Sequence, residues 1–161
     1  MPMDKQQILN LIIAQLRSDL AMSERAVKVA RDTASHADCL GSSKYETMGL
    51  EASYLAQGQG LRLLEVERAL NHFTQLSLPE SAASTIGLSS LVELEDEHGE
   101  RQLLWLAADA GGLKIDYLDT VITVITARSP LGKALIGKVC DDDIAISIAG
   151  KERCYMILSV L

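Results

Sequence analysis

Residues 4–35 of the chain carry an uninterrupted helical repeat. Between Asp4 and Ser35 there is no glycine or proline, and apolar or small residues recur in alternating steps of four and three. That spacing is the heptad seam of a helix that packs lengthwise on a partner helix. The seam comprises Leu9, Ile13, Leu16, Leu20, Ser23, Val27, Ala30 and Ala34. About 32 residues in one helix extend ~48 Å, which is longer than a small domain needs.

A second helical pattern, from about Tyr45 to Leu76, predicts the partner of the first. Large apolar residues lie near the start of helix one and the end of helix two, and small residues lie at the opposite ends, so the seams match when the helices run antiparallel. We predict a helical hairpin over residues 1–77 with its tip at about 38–47, where Gly41-Ser42-Ser43 supplies turn residues. The second seam is Ala52, Ala56, Gln59, Leu63, Val66, Leu70 and Phe73.

Beyond a linker over residues 78–86, which contains Pro79, the hydrophobic period changes from helical spacing to two. Period two is typical of half-buried strands, and the pattern over 87–161 predicts a small antiparallel sheet with one short helix, Pro130–Ile136. We therefore predict an α+β protein, an N-terminal antiparallel helical hairpin (a coiled coil) followed by a small sheet domain. The predicted strands are Ser90–Glu95, Arg101–Ala108, Leu113–Tyr117, Thr120–Thr126, Ile144–Ile148 and Cys154–Val160.

The amino-acid composition argues against several classes of function. The net charge of −7 argues against binding of duplex nucleic acid, which depends on cationic side chains, and 4% aromatic residues argue against a large aromatic pocket. The three cysteines, Cys39, Cys140 and Cys154, show neither disulfide nor zinc-ligand spacing. The N-terminus lacks a signal pattern, and no apolar run reaches the ~18 residues of a membrane span. We expect a cytoplasmic protein with no membrane partner and no stably bound cofactor.

The segment Ser129–Lys138 (SPLGKALIGK) combines local helix signals with a family resemblance. Ser129 can cap a helix that Pro130 opens, and Gly137 can end it. With its flanks, Gly87–Glu100 and Thr120–Ile144, the segment resembles the closing motif of the GreA/GreB transcription elongation factors. The resemblance covers nearly the whole chain and implies a C-terminal domain similar to the FK506-binding proteins.

The resemblance also implies a partner and a role. It implies that the chain is an accessory factor, not an enzyme. We also expect a monomer. The resemblance implies RNA polymerase as the partner, docked at the rim of its secondary channel through Ser129, Pro130 and Leu131, with the nascent RNA 3′ end as a further contact. Arg128 departs from the family, because some members carry an acid there.

In the family, acidic residues at the hairpin tip hold a Mg²⁺ ion shared with the polymerase active site and so promote cleavage of backtracked RNA. Mg²⁺ prefers oxygen ligands, and a second metal activates water for in-line attack. The family positions fall near Ser42 and Tyr45, which are not acidic, and the nearest carboxylates are Asp38 and Glu46. These two are the candidate catalytic acids. The alternative is that they are solvated charges that cap the helix ends.

Five further residues are candidates for RNA or channel contact. Lys44 and Tyr45 lie at the tip, where Tyr45 can stack on RNA or pack on the hairpin. Arg25, Lys28 and Arg31 recur every third residue on helix one, either as a basic edge or as an ordinary solvated face.

Two other functions are alternatives to cleavage stimulation. One is a secondary-channel binder without cleavage activity, a Rnk-like regulator or competitor of Gre factors, which the missing tip acids favour and the long hairpin disfavours. The other is a peptidyl-prolyl isomerase, which only fold analogy suggests, and fold does not carry function.

Overall fold

The computed structural model describes residues 3–40, 43–79 and 84–161, and leaves the side chains of 34–40, 43–49, 52–54 and 56 undescribed. Two long helices come first, α1 at Lys5–Leu40 and α2 at Ser43–Thr74. Both extend further toward the tip than the periodicity predicts. The described residues form two compact units: those up to Ile12 together with Gln75–Leu161, and Ile13–Thr74.

The unit Ile13–Thr74 buries residues of both predicted seams. Val27 and Ala30 lie near the middle of α1 and are almost fully buried, and Val66 and Phe73 are buried on α2. An isolated helix exposes every side chain to water, so burial in the middle of α1 requires packing by the second helix of the unit. Ser23 is the buried polar residue of this seam.

A sheet of six strands occupies the other unit, in the order β3-β4-β2-β1-β6-β5. The strands are β1 Leu91–Asp96, β2 Arg101–Ala107, β3 Lys114–Tyr117, β4 Thr120–Thr126, β5 Asp143–Ile148 and β6 Lys151–Val160. The α+β fold class is confirmed, with one correction to the predicted antiparallel sheet. Strands β2 and β4 pair in parallel, with Leu103 opposite Ile122 and Ala107 opposite Thr126. The chain between them forms β3, which returns to β4 as a hairpin.

One face of the sheet packs beneath a short helix, α3, at Pro130–Leu135. Residues alternate along each strand, so every second side chain points to this face. The buried cluster is aliphatic apart from Tyr155, and Leu135 of α3 is fully buried in it. The cluster contains Ile86, Val92, Leu94, Leu104, Leu106, Leu135, Ile144, Ile146, Tyr155 and Ile157.

The start of α1 belongs to the same unit as the sheet. Asp4 caps the helix by accepting the N–H of Gln6 at 2.9 Å and that of Gln7 at 3.3 Å. The Tyr117 hydroxyl accepts the N–H of Asp4 at 3.2 Å and donates to Gln7 at 3.3 Å. Lys5 lies 5.3 Å from the centroid of the Trp105 ring and donates to the Leu161 carbonyl at 3.1 Å. Partial burial of Lys5 lowers its pKa.

The β3–β4 hairpin turns through two residues with positive φ, Leu118 at 48° and Asp119 at 62°. Turns of this kind favour asparagine and glycine, because a branched or bulky side chain is strained there. Leu118 is also 61% exposed, so its side chain gains little from burial. Leu118 and Asp119 are therefore not the residues that the backbone conformation of this turn favours.

Candidate functional site

The turn that opens α3 is held by Ser129. Its Oγ accepts the N–H of Gly132 at 3.1 Å and donates to the Thr126 carbonyl at 2.7 Å. The Ser129 N–H also reaches the Thr126 carbonyl, at 3.1 Å, and the Lys133 N–H closes on the Ser129 carbonyl at 2.9 Å. Since the hydroxyl both donates and accepts, it joins the end of β4 to the first turn of α3. The predicted cap is present.

Gly132 allows α3 to approach β4 closely. A Cβ at this position would lie 2.0 Å from the Thr126 carbonyl oxygen and 3.0 Å from Ser129 Oγ. Carbon and oxygen atoms that are not bonded stay more than 3 Å apart, so any side chain would push the helix away from the strand. The glycine of the Pro-Leu-Gly triplet is thus a packing requirement of the turn.

The three residues predicted to contact a partner lie together but differ in exposure. Pro130 is exposed, as is Lys133 one turn later. Leu131 is half-buried and packs against the aliphatic cluster, and Ser129 is half-buried with its hydroxyl in use inside the turn. Of the three residues, Pro130 is the exposed one, while Ser129 and Leu131 hold the turn in place through a hydrogen bond and apolar packing.

The end of α3 is tied to the chain before β1. The N–H of Gly137, whose φ is +81°, donates to the Ile86 carbonyl at 2.9 Å, and the Ile86 N–H donates to the Lys138 carbonyl at 2.8 Å. Ile136 stands 42% exposed beside this junction. Both ends of α3 are therefore anchored, and Pro130 sits on a rigid support.

Arg128 precedes the capped turn and is exposed. Its guanidinium donates to the Ala108 carbonyl at 3.4 Å, while the Ala127 N–H donates to the Ala107 carbonyl at 3.2 Å. These bonds prolong the parallel pairing of β2 and β4 past the ends of the strands. Arg128 therefore supports the chain that leads into the turn.

Arg25, Lys28 and Arg31 lie on α1 in the other compact unit, and all three are exposed. None of them forms a salt bridge with a residue whose side chain is described. At 100° per residue, steps of three keep these residues within about 120° of the helix surface. The exposed acids Glu24 and Asp32 lie on the same solvent-facing arc, so the surface carries both signs of charge.

The predicted tip residues fall outside the described side chains. Asp38 belongs to the last turns of α1, and Lys44, Tyr45 and Glu46 belong to the first turns of α2. Their roles in metal or RNA contact stay predictions. Elsewhere, the side chains that are described include no cluster of three histidines, cysteines or acids placed to hold a metal ion. The described helices include none long and apolar enough to cross a membrane.

Sequence reasoning missed three features of the site. The Thr126 carbonyl, the tight packing of Gly132 and the exposed Ile136 depend on which strand lies under α3. The glycine inside the short helix was the available signal, because glycine costs a helix interior ~1 kcal/mol relative to alanine and needs a reason to be there.

Comparison with known proteins finds no matching family model, and it finds relatives among characterised transcription factors. The transcription inhibitor protein Gfh1 of Thermus thermophilus is 27% identical over 151 residues, covering 92% of this chain and 90% of the relative. The transcription elongation factor GreA of Acidiphilium cryptum is 26% identical over 136 residues, 84% of this chain and 79% of the relative. GreA 2 of Lactiplantibacillus plantarum is 28% identical over 150 residues, with 88% and 84% covered.

Solved structures also match the chain, and two of them illustrate the range of similarity. A crystal structure of Thermus thermophilus Gfh1 matches 92% of this chain and 94% of its own, with 24% identity and a TM-score of 0.39. The GreA/GreB factor of Nitrosomonas europaea matches 63% of this chain and 89% of its own, with 18% identity and a TM-score of 0.36.

The fold and the site define a two-part protein, in which a long helical region precedes a small, mostly antiparallel sheet that presents a capped proline turn. The relatives match most of this chain, the helical region included. They support its membership of the GreA/GreB family, at modest identity.

Proposed function

We propose that this protein is an RNA polymerase-binding transcription factor of Gre type that docks at the rim of the secondary channel. The observation that carries the proposal is the α3 turn, where Pro130 is exposed and both ends of the helix are anchored. A contact residue on a rigid support loses little entropy on binding. The elongation factor GreA and the inhibitor Gfh1 are both relatives over most of the chain.

Binding to the cognate RNA polymerase tests the docking surface. Pro130→Glu adds a charge to the contact surface while remaining compatible with a first helical turn, where acids are favoured. We expect at least ~10-fold weaker binding, the effect of removing one well-placed contact residue. Thr120→Glu is the matched control, since it adds the same charge at the exposed opposite end of β4. Equal weakening by both substitutions would show a general charge effect and would reject the α3 turn as the docking site.

Once docked, the factor stimulates cleavage of backtracked RNA by the polymerase itself. Asp38 and Glu46 direct a Mg²⁺ ion that the polymerase active site shares, and the factor has no turnover of its own. Arg25, Lys28, Arg31, Lys44 and Tyr45 contact RNA or the channel wall. A hard cation held by one or two carboxylates can activate water, provided that the polymerase supplies the other ligands.

The assay for this step is RNA shortening in a stalled, backtracked complex. Asp38→Asn and Glu46→Gln remove the charges but keep the size of each side chain, so the double variant should bind polymerase normally and cleave poorly. Unchanged cleavage in the double variant would reject these residues as metal-directing acids.

A second function is favoured by one specific observation. The resemblance places the family's tip acids near Ser42 and Tyr45, which are not acidic, and one relative is a transcription inhibitor. On this alternative the protein occupies the secondary channel, does not promote cleavage, and competes with a cleavage-stimulating Gre factor. Competition without RNA shortening in the same assay identifies it.

A further inference from the structure

Strand β5 is an open edge of the sheet. It lies last in the strand order, and it pairs with β6 along its whole length without a register shift. Natural edge strands are commonly short, charged or bulged, because an unpaired edge attracts other strands. The opposite edge, β3, is protected in this way, with four residues and an exposed lysine and aspartate. β5 has six residues, DIAISI; its one charged residue, the exposed Asp143, stands at its first position, and the remaining five carry neither a charge nor a proline.

The free backbone groups of β5 belong to Asp143, Ala145 and Ser147. The β5–β6 hairpin turns through two residues, Ala149 and Gly150, and Ile148 pairs with Lys151. In a hairpin with a two-residue loop the closing pair exchanges hydrogen bonds, and the pairs alternate from there. Ile148, Ile146 and Ile144 therefore bond to β6, while the N–H and C=O groups of Asp143, Ala145 and Ser147 point outward. Among the described residues, no hydrogen bond outside the ladder engages the backbone of Ile144–Ile148.

The exposed side chain of Ile148 indicates the register in which a partner strand would pair with β5. Ile144 and Ile146 are buried on the face that α3 covers, and Ile148 continues their row but is 47% exposed. We propose that β5 pairs antiparallel with β5 of a second copy of this chain, about a two-fold axis at Ile146. Each Ile148 then lies opposite Ile144 of the other copy, and the two Ile146 side chains face one another.

The other face of the strand fits the same register. Each Ala145 lies opposite Ser147 of the second copy, so both side chains are small and uncharged. The two-fold axis creates this pair twice, and with two hydrogen bonds per pair the strands form about four. Asp143 falls opposite Ala149, which keeps the acids of the two copies from facing each other. The strand is therefore self-complementary, as an isologous interface requires.

The interface is small and the copies repel one another. Pairing of two six-residue strands buries less surface than a stable dimer, so the association is weak. Each copy has a net charge of −7, so added salt, which screens this repulsion, strengthens the dimer. The monomer expected from the sequence is then the form at low concentration.

Sedimentation equilibrium of the full chain from ~10 µM to ~1 mM tests the pairing, a range suited to weak interfaces. The average mass should rise from 17.4 kDa toward twice that value, and rise further with salt. Hydrogen exchange should show the Ala145 and Ser147 amides protected only at high concentration, with those of Ile144 and Ile146 protected throughout. A mass that stays at 17.4 kDa over the whole range overturns the proposal.

Variants at the two edges distinguish strand pairing from other association. The double variant Ala145→Lys, Ser147→Lys places two charges on exposed positions of β5 and should remain monomeric at all concentrations. Asp116→Lys is the control, because it changes the net charge by the same two units on the β3 edge and should dimerise as the parent does. If the double variant dimerises like the parent, the dimer does not form through β5, and the proposal is overturned.

Discussion

Gly132→Ala tests the packing of the α3 turn through the sign of its effect on stability. Alanine is a better helix former than glycine by ~1 kcal/mol, so helix propensity alone predicts a more stable protein. The structure predicts the reverse, because the added Cβ would lie 2.0 Å from the Thr126 carbonyl oxygen. That contact requires a shift of more than 1 Å between α3 and β4.

The size of the loss follows from the bonds that such a shift breaks. The Thr126 carbonyl accepts the Ser129 N–H at 3.1 Å and the Ser129 hydroxyl at 2.7 Å, and the hydroxyl accepts the Gly132 N–H at 3.1 Å. Each hydrogen bond contributes ~1 kcal/mol net. Loss of all three, partly offset by helix propensity, gives a decrease of about 2 kcal/mol in the free energy of unfolding.

Urea unfolding of the parent and of Gly132→Ala measures this difference, with Lys133→Ala as the control at the next, exposed position of the same helix. The control should change the free energy of unfolding by less than ~0.5 kcal/mol. A Gly132→Ala protein as stable as the parent, or more stable, would refute the argument that this glycine is required by close packing.

Three other predictions concern stability away from the α3 turn. Replacing Leu118 with Asn and Asp119 with Gly should raise the free energy of unfolding by ~1–2 kcal/mol in urea titrations, because both residues have positive φ. Gly58→Ala and Gly60→Ala should each stabilise α2 by up to ~1 kcal/mol, since a Cβ there meets nothing within 4 Å, and thermal unfolding followed by circular dichroism measures the gain. Backbone N–H groups of Glu100 and His98 lower the pKa of Asp96 below its usual value. The carboxylate therefore stabilises the fold above the unfolded pKa, near 3.9, and this contribution is lost as pH falls through the lower folded value. The stability difference between the parent and Asp96→Asn should shrink over that acidic range.

The sequence predicted the elements that depend on local pattern. The β-branched run Thr120–Thr126 is a strand with the predicted bounds, and the Ser129 cap is in place. The hydrophobic period predicted the ends of the long helices less accurately. Helix α1 continues to Leu40, because the residues after Ser35 do not continue the apolar seam but are still able to form a helix.

The hydrophobic pattern of the sequence did not predict which strands pair with each other. The parallel contact of β2 with β4 joins segments separated by β3, and alternation along a strand does not specify its neighbour. The same limit explains the candidate site. Local rules predicted the cap at Ser129 and the helix start at Pro130, and the family resemblance made them candidate contact residues. The role of Gly132 depends on the Thr126 carbonyl of the strand beneath it.

Site-specific photocrosslinking to RNA polymerase tests the central claim most directly. A photoreactive residue introduced at position 130 is compared with one at position 116, which is exposed on the edge strand β3. The proposed docking predicts a crosslink from position 130 to a polymerase subunit, lost on competition with an authentic Gre factor, and none from position 116. A crosslink from position 116 alone, or equal crosslinks from both positions, would contradict docking through the α3 turn.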